Sequence, residues 1–264
     1  MLQELAPAQK SVAKGVSQIL VVLPAYNEAD ALPTLISRFE AVWAQYSLNM
    51  RVIVVNDGSS DQTAERVREL ESASPMPIQL VDLKKNQGLA NAVRTGFAEA
   101  LQQAASDDDI ILVMDADDTH PPELMPRMLS HIGEGADVVI ASRYQPGARI
   151  RGLTMSRVLF SLGASALFQV AVGIEGVRDY TCGYRAYKVG LLRRAMAMHR
   201  GSLIKESGFG VMAEILLKLK ALDPIVVEVP IILRYDRKQG ESKMNVSRTI
   251  FQTLNLLARH AFKA

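Results

Sequence analysis

Through the first half of the chain, short unbroken apolar runs alternate with stretches whose apolar residues recur every three to four positions. The runs Ile19–Leu23, Arg51–Val55, Ile78–Val81, Ile110–Met114 and Asp137–Ala141 predict strands, and Ala31–Tyr46, Thr63–Ser72 and Leu89–Ala105 predict the helices between them. Pro33 falls in the first turn of its helix, where no intrahelical N–H bond is lost. Such alternation predicts an α/β fold with a mostly parallel central sheet flanked by helices. After Arg143 the pattern changes. Arg143, Arg149, Arg151 and Arg157 follow one another without an intervening acid, and the uncharged segment Val158–Ile174 comes next. A helix is expected over Ser207–Leu222, strands over Ile225–Val229 and Ile231–Tyr235, then a polar loop and a terminal helix from about Asn245.

With 264 residues the chain can bury one substantial core. Residues 1–18 read as a mobile leader, 19–243 as the main domain and 244–264 as an appended helix. The 30 Lys and Arg nearly balance the 28 Asp and Glu, so global charge gives no reason to expect a nucleic-acid partner. The single cysteine, Cys182, cannot form an internal disulfide, which fits a reducing, cytoplasmic setting. No basic start followed by an apolar core and a small-residue cleavage site is present, so no signal peptide is expected. The longest uncharged stretch, Val158–Ile174, carries Ser161, Gly163, Ser165, Gln169 and Gly173 and reads as non-spanning.

The run Ile110–Met114 delivers Asp115, Asp117 and Asp118 at the end of a buried strand, ahead of Pro121-Pro122. Carboxylates this close repel, and a divalent cation bridging them to a phosphate relieves the cost. The alternative is a helix cap, but a cap needs one acid and not three. Pro24-Ala25-Tyr26-Asn27-Glu28 follows the first strand, Asn56-Asp57-Gly58-Ser59 ends the second, and Asn86-Gln87-Gly88-Leu89 opens a helix. All lie where open α/β sheets bind ligands, beyond the carboxyl ends of the strands. Each alone also reads as an ordinary turn.

Taken in order, Leu23-Pro24-Ala25-Tyr26-Asn27-Glu28, Asn56-Asp57-Gly58-Ser59-Ser60-Asp61, Asn86-Gln87-Gly88-Leu89 and Asp115-Ala116-Asp117 resemble the nucleotide-sugar motifs of inverting GT-A glycosyltransferases. Ser142-Arg143-Tyr144, Arg157 with Ser161, Asp179–Arg185 and Asp236–Lys243 sharpen the resemblance to the polyprenyl-phosphate hexosyltransferases, the group that includes dolichyl-phosphate mannose synthase. The resemblance implies a GT-A fold in which Pro24, Tyr26, Glu28, Asp57 and Gly88 hold the nucleotide, joined by Asp115 and Ala116. It implies that Asp115 and Asp117 hold Mg²⁺ or Mn²⁺, with a weaker or water-mediated contact from Thr119, where the family often has Gln. Asp117, Arg237 and Lys243 would act on the donor diphosphate, and Arg143, Arg157 and Ser161 on the acceptor phosphate. Further departures are Ser165, where the family often has Asn, and Cys182 and Tyr184, where it has Ser and Phe. The lone Trp43 lies in an early helix, so the Gln-x-x-Arg-Trp motif of processive synthases is absent.

The implied reaction moves a hexose, mannose from GDP-mannose first among the choices, to a polyprenyl phosphate. UDP-glucose, a UDP-N-acetylhexosamine or a soluble hydroxyl acceptor would suit the same fold, and a nucleotide-sugar-binding module without turnover is the rival of another class. A phosphomonoester is largely dianionic at neutral pH, so a phosphate acceptor would need no general base. From Ser242 to Ala264 there is no Asp or Glu, while Val246, Ile250, Leu254, Leu257 and Ala261 form an apolar stripe beside Lys243, Arg248, Arg259 and Lys263. Such a helix suits a peripheral site on the inner, anionic face of a membrane, or packing on the domain.

Overall fold

The computed structural model describes residues 18–152, 163, 165, 167, 169, 173–201, 203–205 and 210–237. The leader up to residue 17, Arg157, Ser161, Lys243 and the terminal helix expected over 244–264 lie outside the described residues.

Seven strands form the central sheet: β1 Ile19–Ala25, β2 Met50–Asp57, β3 Ile78–Leu83, β4 Ile110–Val113, β5 Val138–Ser142, β7 Arg185–Lys188 and β8 Val226–Pro230, in the order β3-β2-β1-β4-β7-β5-β8. β7 runs antiparallel to both neighbours, and every other pairing is parallel. The sheet is therefore mostly parallel, as the alternation predicts. β1, β2 and β4 are apolar on both faces because both faces are covered, and Leu20–Leu23, Val52–Val55 and Ile110–Leu112 are fully buried. A separate ribbon pairs β6 Arg149–Arg151 with β9 Ile232–Arg234 in parallel. The sequence predicts β9 as a strand but gives no sign of this partner.

Helices α1 Leu32–Tyr46, α2 Thr63–Ala73 and α3 Leu89–Gln103 connect the first four strands, and α4 Met125–Gly133 follows β4. Gly96 lets α3 lie close on the sheet, since a Cβ there would sit 2.3 Å from Val22 Cγ1. The periodicity does not predict helix α5 Val189–Met198 or strand β7 before it. Within the predicted Ser207–Leu222 helix, α6 covers Val211–Leu219 and a 3-10 turn covers Lys220–Leu222.

Three buried charged side chains, Arg185, Glu214 and Lys218, tie parts of the second half together. Arg185 is fully buried, yet its guanidinium donates to the carbonyls of Met212 at 2.6 Å and Tyr180 at 2.8 Å, tying β7 to α6. Glu214 pairs with Lys218 one helical turn later at 2.7 Å and also accepts the Lys205 N–H, while Lys218 Nζ donates to Leu203 O at 2.9 Å. The Glu214–Lys218 pair thus avoids the cost of unpaired burial, and the carbonyl acceptors offset part of that cost for Arg185. No helix among the described residues is long and apolar enough to cross a membrane.

Candidate active site

The loops that follow β1, β2, β3 and β4 lie at the carboxyl edge of the parallel strands, and side-chain-to-backbone bonds stitch the first three together. Asn27, at φ +53°, donates its N–H to Ser59 Oγ at 2.9 Å and accepts the Ser60 N–H on Oδ1 at 2.9 Å. Thr63 Oγ1 accepts the Glu28 N–H at 2.9 Å. Asp57, at the end of β2 and buried, accepts the N–H groups of Gln87 at 2.9 Å and Gly88 at 2.8 Å, so it fixes the start of α3. Burial holds its carboxyl above the usual value, and the two N–H bonds oppose that rise. Gly58, at φ +61°, touches the next loop, where an added Cβ would lie 2.3 Å from the carbonyl carbon of Lys85.

Pro24 pairs with Val55 inside the sheet, and Tyr26 and Glu28 follow half-buried. Pro24, Tyr26, Glu28, Asp57 and Gly88, expected to hold a nucleotide, thus share one edge. Asp57 also shapes the loop there, through the backbone donors that it accepts.

After β4 the chain presents Asp115, half-exposed, then buried Ala116, Asp117, Asp118, Thr119 and His120. Ligand atoms of Asp115, Asp117 and His120 all lie within 4.8 Å of one another. His120 Nδ1 is 3.7 Å from Asp115 Oδ2, is buried, and has no hydrogen-bond partner among the described residues. A buried ring nitrogen left this way is costly unless something fills its coordination. Two carboxylates and an imidazole are a donor set that suits a divalent ion such as Mn²⁺. Thr119 donates its hydroxyl to Asp117 Oδ1 at 2.7 Å and its N–H at 3.2 Å, so it aims the carboxylate. On the far side of the ring, Cys182 Sγ lies 4.0 Å from His120 Nε2. Burial pushes that thiol up to about 12, which keeps it a neutral neighbour rather than a thiolate ligand. The Tyr184 ring meets His120 edge-on at 5.6 Å. The motifs do not mark His120; its only signal in the sequence is the Asp115-x-Asp117-x-x-His120 spacing.

Arg143 is almost enclosed, with its side chain 13% exposed. Its Nε and Nη2 donate to the two oxygens of fully buried Asp179 at 2.8 and 2.6 Å, and Nη2 also donates to Thr181 Oγ1 at 2.6 Å. Asp179 holds the guanidinium well above its ordinary value, and Arg143 holds the carboxyl below its own against the opposing effect of burial. Asp179 also accepts the N–H of Cys182 at 2.9 Å. This pins a loop whose Gly183 leaves only 3.2 Å between an added Cβ and Asp115 Oδ1. Arg143, expected to face the acceptor, is thus bonded to the loop that passes Asp115. Arg237, at the far end of the described chain, comes within 3.9 Å of Asp118. A cavity of about 380 Å³ lined by Ala31, Thr34, Arg38, Asp118 and Arg237 opens beside them.

Residues 20–195 match the model of glycosyl transferase family 2. A dolichol-phosphate mannosyltransferase of Pyrococcus furiosus is 35% identical over 93% of this chain and 63% of its own length, so the chain spans less than two thirds of that relative. A polyprenol monophosphomannose synthase of Mycolicibacterium smegmatis is 32% identical over 86% of this chain and 81% of its own. An undecaprenyl-phosphate 4-deoxy-4-formamido-L-arabinose transferase of Klebsiella pneumoniae is 29% identical over 89% of this chain and 65% of its own. Among solved structures, glucosyl-3-phosphoglycerate synthase from Mycobacterium tuberculosis, crystallised with Mn²⁺, UDP and phosphoglyceric acid, shares the fold. It has a TM-score of 0.63 at 19% identity and covers 96% of this chain and 81% of its own. With a mostly parallel sheet of GT-A type and an acid cluster at its carboxyl edge, this chain is a glycosyltransferase and belongs to glycosyl transferase family 2.

Proposed function

We propose that the protein is a metal-dependent, inverting transferase that moves a hexose, mannose from GDP-mannose in the first instance, onto a polyprenyl phosphate. The observation that carries this reading is the Asp115, Asp117 and His120 cluster at the sheet edge with Arg237 beside it, in a chain whose relatives are named for polyprenyl-phosphate acceptors. Mannose is preferred because two of those relatives are mannose transferases, although the third is named for an arabinose derivative.

Asp115, Asp117 and His120 would hold Mn²⁺ or Mg²⁺. What such an ion supplies there is neutralisation of the donor diphosphate. Thr119 keeps Asp117 aimed, and Arg237 adds a planar set of donors matched to phosphate oxygens. Lys243, Arg157 and Ser161 join the donor and acceptor sides by their place in the motifs. A phosphate oxygen of the acceptor attacks the anomeric carbon as its bond to the diphosphate oxygen breaks. The nucleoside diphosphate leaves with the electron pair, and the anomeric centre inverts. The acceptor is already dianionic, so no side chain has to remove a proton. The basic, apolar-striped sequence of 244–264 suits contact with the cytoplasmic membrane face from which such an acceptor is drawn.

A panel of GDP-mannose, UDP-glucose and UDP-N-acetylhexosamines, each with polyprenyl phosphate vesicles and Mn²⁺, tests the reading by release of nucleoside diphosphate and formation of a glycosyl phospholipid. GDP-mannose should give both. Release with a soluble hydroxyl acceptor and none with the lipid would overturn the acceptor assignment. Ligand-dependent thermal stabilisation without any release would mark a binding module.

A further inference from the structure

A row of alternating charges runs from α1 to the end of the described chain, and the proposed reaction uses only its last member. Glu123 accepts Arg38 Nε at 2.9 Å and Nη2 at 2.6 Å. The third nitrogen, Arg38 Nη1, pairs with Asp118 Oδ1. Asp118 Oδ2 in turn faces Arg237 Nη1 at 3.9 Å, within reach of an ion pair but too far for a hydrogen bond. Asp118 is the acid after Asp117, yet it stands outside the Asp115, Asp117 and His120 group. Its backbone lies at φ +55°, a conformation that a non-glycine residue adopts at a cost, and its side chain is only 8% exposed. That turn aims its carboxylate at two arginines. The same stretch of chain is anchored by its backbone, because Arg234 N donates to Thr119 O at 3.0 Å.

We infer that Asp118, held by Arg38, is a positioning residue that draws the Arg237 guanidinium to the edge of the acid cluster before a donor diphosphate arrives. Because the contact is an ion pair and not a bonded fork, Arg237 is steered without being consumed. An incoming diphosphate then meets an arginine already in place and does not bear the full cost of ordering it. The inference rests on the proposed role of Arg237 at the diphosphate.

A double-mutant cycle in nucleotide binding tests it, using isothermal titration of GDP and of UDP with Mn²⁺ into the full chain. Asp118→Asn is the informative change, since Asn tolerates the left-handed backbone and removes only the charge. Arg38→Gln is the second variant, should the first fail to fold by thermal melting. Asp118→Asn should weaken binding about two- to five-fold, the range expected of a partly exposed pair. In an Arg237→Ala background the same change should add nothing. Binding by Asp118→Asn equal to or tighter than wild type, or full additivity with Arg237→Ala, overturns the positioning role and leaves the proposed function standing. Wild-type binding by Arg237→Ala would instead remove the diphosphate role of Arg237, and the inference with it.

Discussion

Replacing Asp179 by Asn should destabilise the protein by about 3 kcal/mol, the low end of the cost of breaking a buried ion pair from one side. Asp179 is fully buried and accepts from Arg143 Nε, Nη2 and N–H at 2.8, 2.6 and 3.0 Å, and from the N–H groups of Thr181 and Cys182 at 3.2 and 2.9 Å. Asparagine keeps the shape but sets an NH₂ against some of these donors and leaves the Arg143 charge unpaired. The cost stays near the low end because Thr181 Oγ1 still accepts from Arg143 at 2.6 Å and the Tyr144 ring lies 5.4 Å from the guanidinium. For a chain of this length, about 3 kcal/mol is a fall in Tm of roughly 10 °C. Scanning calorimetry and urea unfolding followed by circular dichroism both read it.

The pH dependence of this increment has a definite sign. Asp179 titrates below its ordinary value in the folded protein, so its stabilisation is complete above the unfolded value of about 4 and is lost as pH falls through the folded one. Wild type should lose this increment in acid, and Asp179→Asn has none to lose. Because the pinned loop sets Gly183 against Asp115, the variant should also bind Mn²⁺ more weakly at pH 7. A variant within about 1 kcal/mol of wild type at neutral pH, with unchanged Mn²⁺ affinity, would refute the bracing role of the pair.

Asp117→Ala should abolish release of nucleoside diphosphate, and EDTA should do the same to wild type until Mn²⁺ is restored; direct chromatographic measurement of the released nucleotide reads both. His120→Ala should weaken Mn²⁺ binding at least ~10-fold, measured by the electron paramagnetic resonance signal of free Mn²⁺, and unchanged affinity would remove it from the donor set. Gly58→Ala should cost roughly 1–3 kcal/mol, since it meets both a left-handed φ of +61° and the Lys85 backbone 2.3 Å away. A melting temperature equal to wild type would show that the two loops separate freely.

The first half of the fold was legible because its signals are local. Strands β1, β2 and β4 are continuous apolar runs, and α1 and α3 carry an apolar stripe, so periodicity finds them to within a residue or two. β7 was not legible. Its four residues, Arg-Ala-Tyr-Lys, carry a charge at each end, and Arg185 reads as a surface residue until the carbonyls of Met212 and Tyr180 are known to receive it. β6, the partner of the legible β9, was hidden for a similar reason, since Arg149 and Arg151 are exposed and only Ile150 between them packs against the core.

The site divides along the same line. Asp115 and Asp117 were legible because the strand before them is unmistakable, and a parallel strand delivers the residues just beyond its carboxyl end to the ligand-binding edge. His120 is hinted at by spacing alone, and Arg143 depends on a partner that spacing does not reveal. His120 faces the acids only because the chain turns through a left-handed Asp118. Arg143 finds a buried carboxylate 36 residues later. An arginine with two nitrogens committed to a carboxylate at 2.6 and 2.8 Å cannot offer the same fork to a phosphate without breaking a buried pair. Arg237 differs from Arg143 in this respect, since its carboxylate contact, Asp118 at 3.9 Å, is longer than either Arg143–Asp179 bond and can be exchanged at lower cost.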